Sequence, residues 1–366
     1  LTTKLHDLYR DQGQSPWIDN ITRPGIRGGD LQGLVDDGIR GVTSNPTIFQ
    51  KAISAGDAYD EQFRELVQVH SVEDAYWGLV IQDITEALAI LRPVYDADPG
   101  ADGFVSIEVS PSLAADTEAT TKSARFLHEH IAQPNLMVKI PGTREGLPAI
   151  QRMVAEGRNI NITLIFGIPR YDEVIEAYLA GLEECEGDLS RVSSVASFFV
   201  SRVDTEVDRR LEAIGTGEAL ALRGKAAVSQ AKLAYQLFQR RFSGDRWEAL
   251  ARRSARVQRP LWASTSTKNP SYPDLLYVDN LIGPDTVNTM PDATVAAYVD
   301  HGTLARTIDV GVENAERNLA ALEELGVSMD DVAATLEEEG VAAFVKSYDE
   351  LLQALQDKAA TPGAAQ

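Results

Sequence analysis

Short runs of apolar and β-branched residues alternate along this chain with longer stretches of amphipathic, helix-period sequence. That alternation is the pattern of repeated βα units around a parallel sheet. Eight such runs can be placed, at 16–19, 41–45, 104–109, 136–140, 160–164, 192–200, 261–265 and 286–289. Between them, 117–132, 146–156, 171–184 and 205–214 carry helical periodicity, several opened by Asp, Thr or Pro. The intervals 59–91 and 218–253 are longer than a crossover requires and are expected to hold additional helices. Two architectures accommodate such a pattern. An open doubly wound sheet ordinarily carries a Gly-rich phosphate loop after its first strand, and neither G-x-G-x-x-G nor a Walker A sequence occurs here. A single closed (β/α)8 barrel is therefore expected. Such a barrel takes about 250 residues, so the surplus in a chain of 366 goes to inserted helices rather than a second domain. The barrel domain is expected over 1–358, and 359–366, which has no apolar period, is expected to be a flexible tail.

Charge narrows the partners. With 34 Lys and Arg against 55 Asp and Glu the net charge is −21, and such a surface repels nucleic acid and anionic membrane alike. Any anionic ligand must then be bound by a few cations gathered at one place, which makes local basic residues informative. The single cysteine, Cys185, permits neither an internal disulfide nor a thiolate metal cage. His128 and His130 do not share a helical face, no H-E-x-x-H occurs, and no metal site is expected. The first residues lack an apolar signal region and no apolar run reaches the roughly 18 residues of a membrane span. A cytoplasmic protein is the expectation, either a monomer or a homodimer.

Active sites of a (β/α)8 barrel lie at the carboxyl ends of its strands, and here those ends are polar. Lys139 interrupts the apolar run Leu136-Met137-Val138-Lys139-Ile140. A charged lysine there is costly to bury, and desolvation favours the neutral amine that attacks a carbonyl. The alternative is a lysine that snorkels to solvent from the strand end. Glu108 shares a strand face with Ser106, either as the proton donor that Schiff-base formation needs or as half of a structural ion pair. Asn161 and Thr163, two apart, also share a face, suited either to substrate hydroxyls and a water or to internal hydrogen bonds. Asp19 and Asn45 end the first two runs, and both types commonly serve as helix caps or turn residues.

Taken together these residues resemble a known family. Thr43-Ser44-Asn45-Pro46-Thr47, Ser106-Ile107-Glu108-Val109, Val138-Lys139-Ile140-Pro141, Asn159-Ile160-Asn161-Ile162-Thr163-Leu164 and Ala196-Ser197-Phe198-Phe199-Val200-Ser201-Arg202-Val203-Asp204 look like transaldolase motifs, in family order. The match spans most of the chain from Asp19 to Thr289. The resemblance implies transfer of a dihydroxyacetone unit from sedoheptulose 7-phosphate to glyceraldehyde 3-phosphate, giving erythrose 4-phosphate and fructose 6-phosphate in the non-oxidative pentose phosphate pathway. No metal or organic cofactor is implied. By position, Lys139 matches the Schiff-base lysine and Asp19 the acid/base at the ketose C4 hydroxyl. Glu108 and Thr163 match the pair that works through a water on the imine. Asn45, Asn161 and Ser197 match groups that hold the dihydroxyacetone moiety, Phe199 an aromatic wall, and Arg202 a phosphate ligand.

One loop departs from the common pattern. Many relatives place a serine and, two residues later, an arginine on the phosphate, whereas this chain reads Ala263-Ser264-Thr265-Ser266-Thr267-Lys268-Asn269-Pro270. Ser264 carries over, Ser266 stands at the arginine position, and Lys268 is the nearest cation, a point charge without a bidentate fork. If Lys268 does not serve, a second cation is to be sought among the arginines of 218–259. Two rival functions remain: an aldolase that releases free dihydroxyacetone, and a sugar-phosphate binding protein on a retired barrel.

Overall fold

In the structure, a computed structural model describing residues 2–360, eight parallel strands pair in chain order and the last closes on the first. They are β1 (Gln14–Ile18), β2 (Gly41–Val42), β3 (Phe104–Glu108), β4 (Leu136–Pro141), β5 (Ile160–Ile165), β6 (Ser194–Phe199), β7 (Arg259–Ala263) and β8 (Thr286–Met290). Each lies within one of the expected runs or overlaps it. Nearly every strand residue is buried, as expected of a parallel barrel with a packed interior on one side and helices on the other.

Register places the polar strand residues side by side. Glu108 of β3 lies opposite Lys139 of β4, and Lys139 lies opposite Asn161 of β5. Pro141 is level with Thr163. Just beyond Thr163 the β5–β6 register shifts between Ile162 and Ile165, and Leu164 takes a left-handed φ of 59°. Such an irregularity breaks the strict alternation of faces and re-aims side chains at a strand end.

At the opposite, amino-terminal pole, Asp102 accepts from Trp17 Nε1 at 2.7 Å and Arg40 Nε at 2.9 Å, with Arg259 at 3.5 Å. One buried carboxylate thus gathers groups that lead into β1, β2, β3 and β7. Charges buried this way persist only when paired.

The longer intervals hold helices as expected: Asp60–Leu66 and Val72–Ala97 in the first, Gly217–Leu220, Ala226–Arg241 and Gly244–Ala251 across the second. The helix Met329–Ala360 crosses the carboxyl-terminal mouth and meets the helix Pro46–Ser54, where Thr47 and Ser347 hydroxyls bond at 2.9 Å and Gln50 donates to Glu350 at 2.9 Å. It runs through Ala360, two residues into the stretch expected to be a tail; 361–366 lie outside the described residues. Among the described residues no helix is long and apolar enough to cross a membrane.

Candidate active site

The carboxyl-terminal mouth encloses a cavity of about 290 Å³ lined by Asp19, Asn45, Lys139, Thr163, Ser197, Phe199, Arg202, Ser264, Ser266 and Lys268. Ten of the twelve expected residues therefore converge on one space, from β4, β5, β6 and the segments after β1, β2, β6 and β7. A roomier groove of about 620 Å³ lies between the helix Met329–Ala360 and the segments after β4 and β5. It contains none of the expected residues, and its alanine-rich wall is edged by carboxylates with no lysine among them, whereas the smaller cavity gathers the buried amine, a carboxylate and the cations and is the candidate for chemistry.

At the floor, Lys139 Nζ donates to the Ser44 carbonyl at 2.9 Å and stands 3.2 Å from Glu108 Oε2. Lys139 is 5% exposed and Glu108 6%. The lysine does not snorkel to solvent; its amine is held at the barrel's interior face. Glu108 is half of an ion pair, and its partner is Lys139 itself. Burial pushes the Glu108 carboxyl above the usual carboxylate range, Lys139 offsets part of this, and nearby Asp19 adds to the rise. Apart from that ion pair, neither Glu108 oxygen has a hydrogen-bond partner among the described residues, and Thr163 Oγ1 likewise has none. Buried polar atoms are rarely left so, and these border the amine and the cavity, where a water or a substrate hydroxyl would satisfy them.

Asp19 stands at the end of β1, its backbone N–H tied to the Met290 carbonyl at 2.9 Å. It caps no helix: Thr22 caps the one that follows. Its carboxylate accepts from Thr43 Oγ1 at 2.7 Å, and Thr43 is itself 2.6 Å from Thr289 Oγ1. Burial raises the Asp19 carboxyl, opposed first by the Thr43 hydrogen bond and then by Lys139, Lys268 and Arg202. Its proton affinity is thus set by burial on one side and by a hydrogen bond and three nearby cations on the other.

Asn45 both caps a helix and faces the cavity. Its Oδ1 accepts from Ile48 N at 2.9 Å, and Pro46 at the first helical position pre-sets the turn. The amide NH₂ remains for a ligand. Asn161 is fully buried and does not border the cavity: it donates to Ser106 Oγ at 3.0 Å and accepts from Ser197 Oγ at 2.7 Å. It orients Ser197, which does reach the cavity.

The rim is cationic. Arg202 lies over the rings of Phe199 and Phe344, 5.3 and 5.9 Å from their centroids. Desolvation lowers its proton affinity, and among the described residues no carboxylate is within ion-pair distance of it. Lys268 donates to Ser266 Oγ at 2.7 Å, so the serine at the arginine position and the nearby lysine act as a unit. Burial lowers the Lys268 amine, followed by repulsion from Arg202 and, after the opposing pull of Asp19, from Lys51. Ser264, at a left-handed φ of 57°, meets the Ser201 hydroxyl at 2.8 Å.

Lys51 was missed by the sequence reading, as were Thr43, Thr289 and Phe344, all of which line the cavity. A signal for Lys51 existed: a helix begun at Asn45-Pro46 stacks 47 and 51 on one face, so Thr47 over the mouth brings Lys51 with it. The arginines of 218–259 are not the reserve cations: none lines the cavity, and Arg223, Arg241, Arg246, Arg256 and Arg259 pair with carboxylates elsewhere. Among the described residues, no group of three or more His, Cys, Asp or Glu side chains is placed to hold a metal ion.

Residues 16–355 match the family described as transaldolase/fructose-6-phosphate aldolase. A protein of Thermobifida fusca named transaldolase is 54% identical over 93% of this chain and 95% of its own length. One from Parafrankia sp. with the same name is 51% identical over 98% of both chains. Transaldolase 1 of Streptomyces avermitilis is 49% identical over 99% of this chain and 98% of its own.

Proposed function

Since the chain belongs to the transaldolase/fructose-6-phosphate aldolase family, we propose that it is a transaldolase that transfers a dihydroxyacetone unit from sedoheptulose 7-phosphate to glyceraldehyde 3-phosphate through an imine on Lys139. The observation that carries this reading is a buried amine pinned between the Glu108 carboxylate and the Ser44 carbonyl, at the floor of a cavity that Asp19 also lines.

Lys139 passes its ammonium proton to Glu108, 3.2 Å away, the neutral amine attacks the ketose carbonyl carbon, and the proton left on nitrogen moves to the oxygen to give a carbinolamine. Glu108, whose carboxyl is pushed toward its protonated form by burial, delivers a proton through a water shared with Thr163 to the departing hydroxyl. Water leaves and the imine forms. Asp19 takes the C4 hydroxyl proton, the C3–C4 bonding pair flows into the imine to leave an enamine, and the aldose phosphate departs. The enamine then attacks the acceptor aldehyde, Asp19 returns the proton, and hydrolysis frees Lys139. The imine is the electron sink, so the reading calls on neither a metal nor an organic cofactor. Sugar-phosphate metabolism and a lone buried Cys185 suit the cytoplasm.

Borohydride reduction in the presence of fructose 6-phosphate, followed by peptide mass mapping, is expected to label Lys139. Stable labelling of other lysines with Lys139 unmodified would overturn the mechanism. Product analysis without an acceptor aldehyde separates the transferase from an aldolase, which would accumulate free dihydroxyacetone.

The rim gives a graded expectation. Arg202, desolvated and without a carboxylate partner, should matter most, so Arg202→Ala is expected to raise KM for fructose 6-phosphate roughly 10- to 100-fold, the loss of a charge-assisted contact. Lys51→Ala and Lys268→Ala, whose side chains are more exposed, should each raise it by a smaller factor. All three should leave the weak reaction with unphosphorylated fructose nearly unchanged. Equal losses on both sugars would remove these residues from the phosphate site.

A further inference from the structure

The phosphate site is split between two elements. Arg202 stands on the helix Ser201–Ile214, whereas Ser264, Ser266 and Lys268 belong to the long segment after β7. The substrate's phosphate has a fixed size, so binding depends on the distance between those elements. Thr265 Oγ1 donates to Asn288 Oδ1 at 2.8 Å and holds the start of the segment to β8, but farther on the segment is exposed at Lys268 and Pro270.

Three residues of the helix, at spacings that put them on one face, bond to the segment. Ser201 N donates to the Ser264 carbonyl at 3.0 Å and its hydroxyl meets that of Ser264 at 2.8 Å. One turn on, Asp204 Oδ2 accepts from the Tyr277 hydroxyl at 2.9 Å. Another turn on, Asp208 Oδ2 accepts from the Tyr272 hydroxyl at 2.5 Å. Each carboxylate is oriented from its other oxygen by a backbone N–H, Asp204 by Ala227 at 2.8 Å and Asp208 by Gly224 at 2.9 Å. Both are buried, and among the described residues neither is within ion-pair distance of a cation. The Tyr272 ring rests on Gly224, where an added Cβ would come within 2.8 Å of the ring. Between the two tyrosines, Pro273 and Asp274 carbonyls accept from Thr267 Oγ1 at 2.9 and 3.0 Å, and Thr267 adjoins Lys268.

We propose that Tyr272 and Tyr277 are positioning residues for the phosphate site: bonded to Asp208 and Asp204, they fix the segment carrying Ser264, Ser266 and Lys268 at the distance from Arg202 that a phosphate requires. Phenol-to-carboxylate bonds are short and directional, and two of them on one rigid helix define both the height and the tilt of the segment. No atom of either tyrosine lines the cavity, so their effect reaches the ligand only through Lys268 and its neighbours. The inference rests on the reading of this rim as a phosphate site.

The test compares Tyr272→Phe, Tyr277→Phe and the double variant with Arg202→Ala in the full chain. Fructose 6-phosphate and unphosphorylated fructose serve as donors, inorganic phosphate as a competitive inhibitor, and thermal unfolding is followed in parallel. Each single variant is expected to raise KM for fructose 6-phosphate and the inhibition constant of phosphate together, by roughly three- to tenfold, less than the roughly 10- to 100-fold of losing a direct charge-assisted contact because the tyrosines act on the phosphate at one remove. The double variant should exceed either, with kcat and the fructose reaction nearly unchanged. A lowered unfolding temperature with both phosphate constants unmoved, or equal weakening of both sugars, assigns the tyrosines a structural role alone and overturns the proposal. If Arg202→Ala is selective for phosphate and the tyrosine variants are not, only the positioning role falls. If Arg202→Ala is itself not selective, the phosphate reading falls and takes this inference with it.

Discussion

Lys139→Arg is expected to lose about 10⁴–10⁶-fold in turnover, the scale of removing a covalent nucleophile, while the protein still folds. The guanidinium keeps a positive charge beside Glu108, which in the native chain sits 3.2 Å from the amine. The buried carboxylate is therefore not stranded, and the large penalty of leaving a buried charge unpaired is avoided. What disappears is the chemistry. A guanidinium stays protonated in proteins, has no free lone pair for a carbonyl carbon, and forms no imine. Loss of activity together with loss of borohydride trapping, at an unfolding temperature close to wild type, is the expected pattern. Near-normal turnover would show that the reaction does not pass through this amine.

Asp19→Ala is expected to separate the two halves of the reaction. In the proposed mechanism imine formation draws on Lys139, Glu108 and Thr163, none of which bonds to the Asp19 side chain among the described residues, so reduction with fructose 6-phosphate should still label Lys139. Cleavage of the C3–C4 bond requires a base at the C4 hydroxyl, and a positioned general base contributes about 10²–10⁴-fold. Turnover should fall by that range. Among the described residues the Asp19 side chain bonds only to Thr43, so the fold has little to lose. Single-turnover trapping set against steady-state turnover makes the check; wild-type turnover would leave Asp19 without a role in cleavage.

The barrel was legible because short apolar or β-branched runs alternate with helix-period stretches eight times and no Gly-rich phosphate loop follows the first run. The strand ends were less so, and each error has a local cause. β2 stops at Val42 rather than Asn45, because Thr43, Ser44 and Asn45 leave the sheet to bond Asp19, to accept from Lys139 and to cap a helix. β7 begins at Arg259, ahead of the expected Leu261; Pro260, which lacks an N–H, argued against a strand there. It ends at Ala263 because Ser264 turns left-handed. Lys139, Glu108 and Asp19 were visible as polar residues at strand ends. Phe344 was not, because it reaches the cavity from a helix far along the chain and only tertiary packing says which of that helix's faces covers the mouth; Lys51 was readable only as the helical neighbour of Thr47. The same limit applies to Asn161. Its position on the inward face was readable, whereas its engagement by Ser106 and Ser197 depends on strand register.

Phe344 ties the working pocket to chain order. Every group expected to touch the reacting carbons lies between Asp19 and Ser197, but the aromatic wall under Arg202 is finished only by the helix Met329–Ala360, seated on the helix Pro46–Ser54. While the protein is being made, then, a nascent chain extending through β8 already holds its reactive lysine but has not yet gained this closing helix. A chain that stops short of Met329 therefore carries the lysine and its neighbouring carboxylate but lacks the second ring on which Arg202 rests.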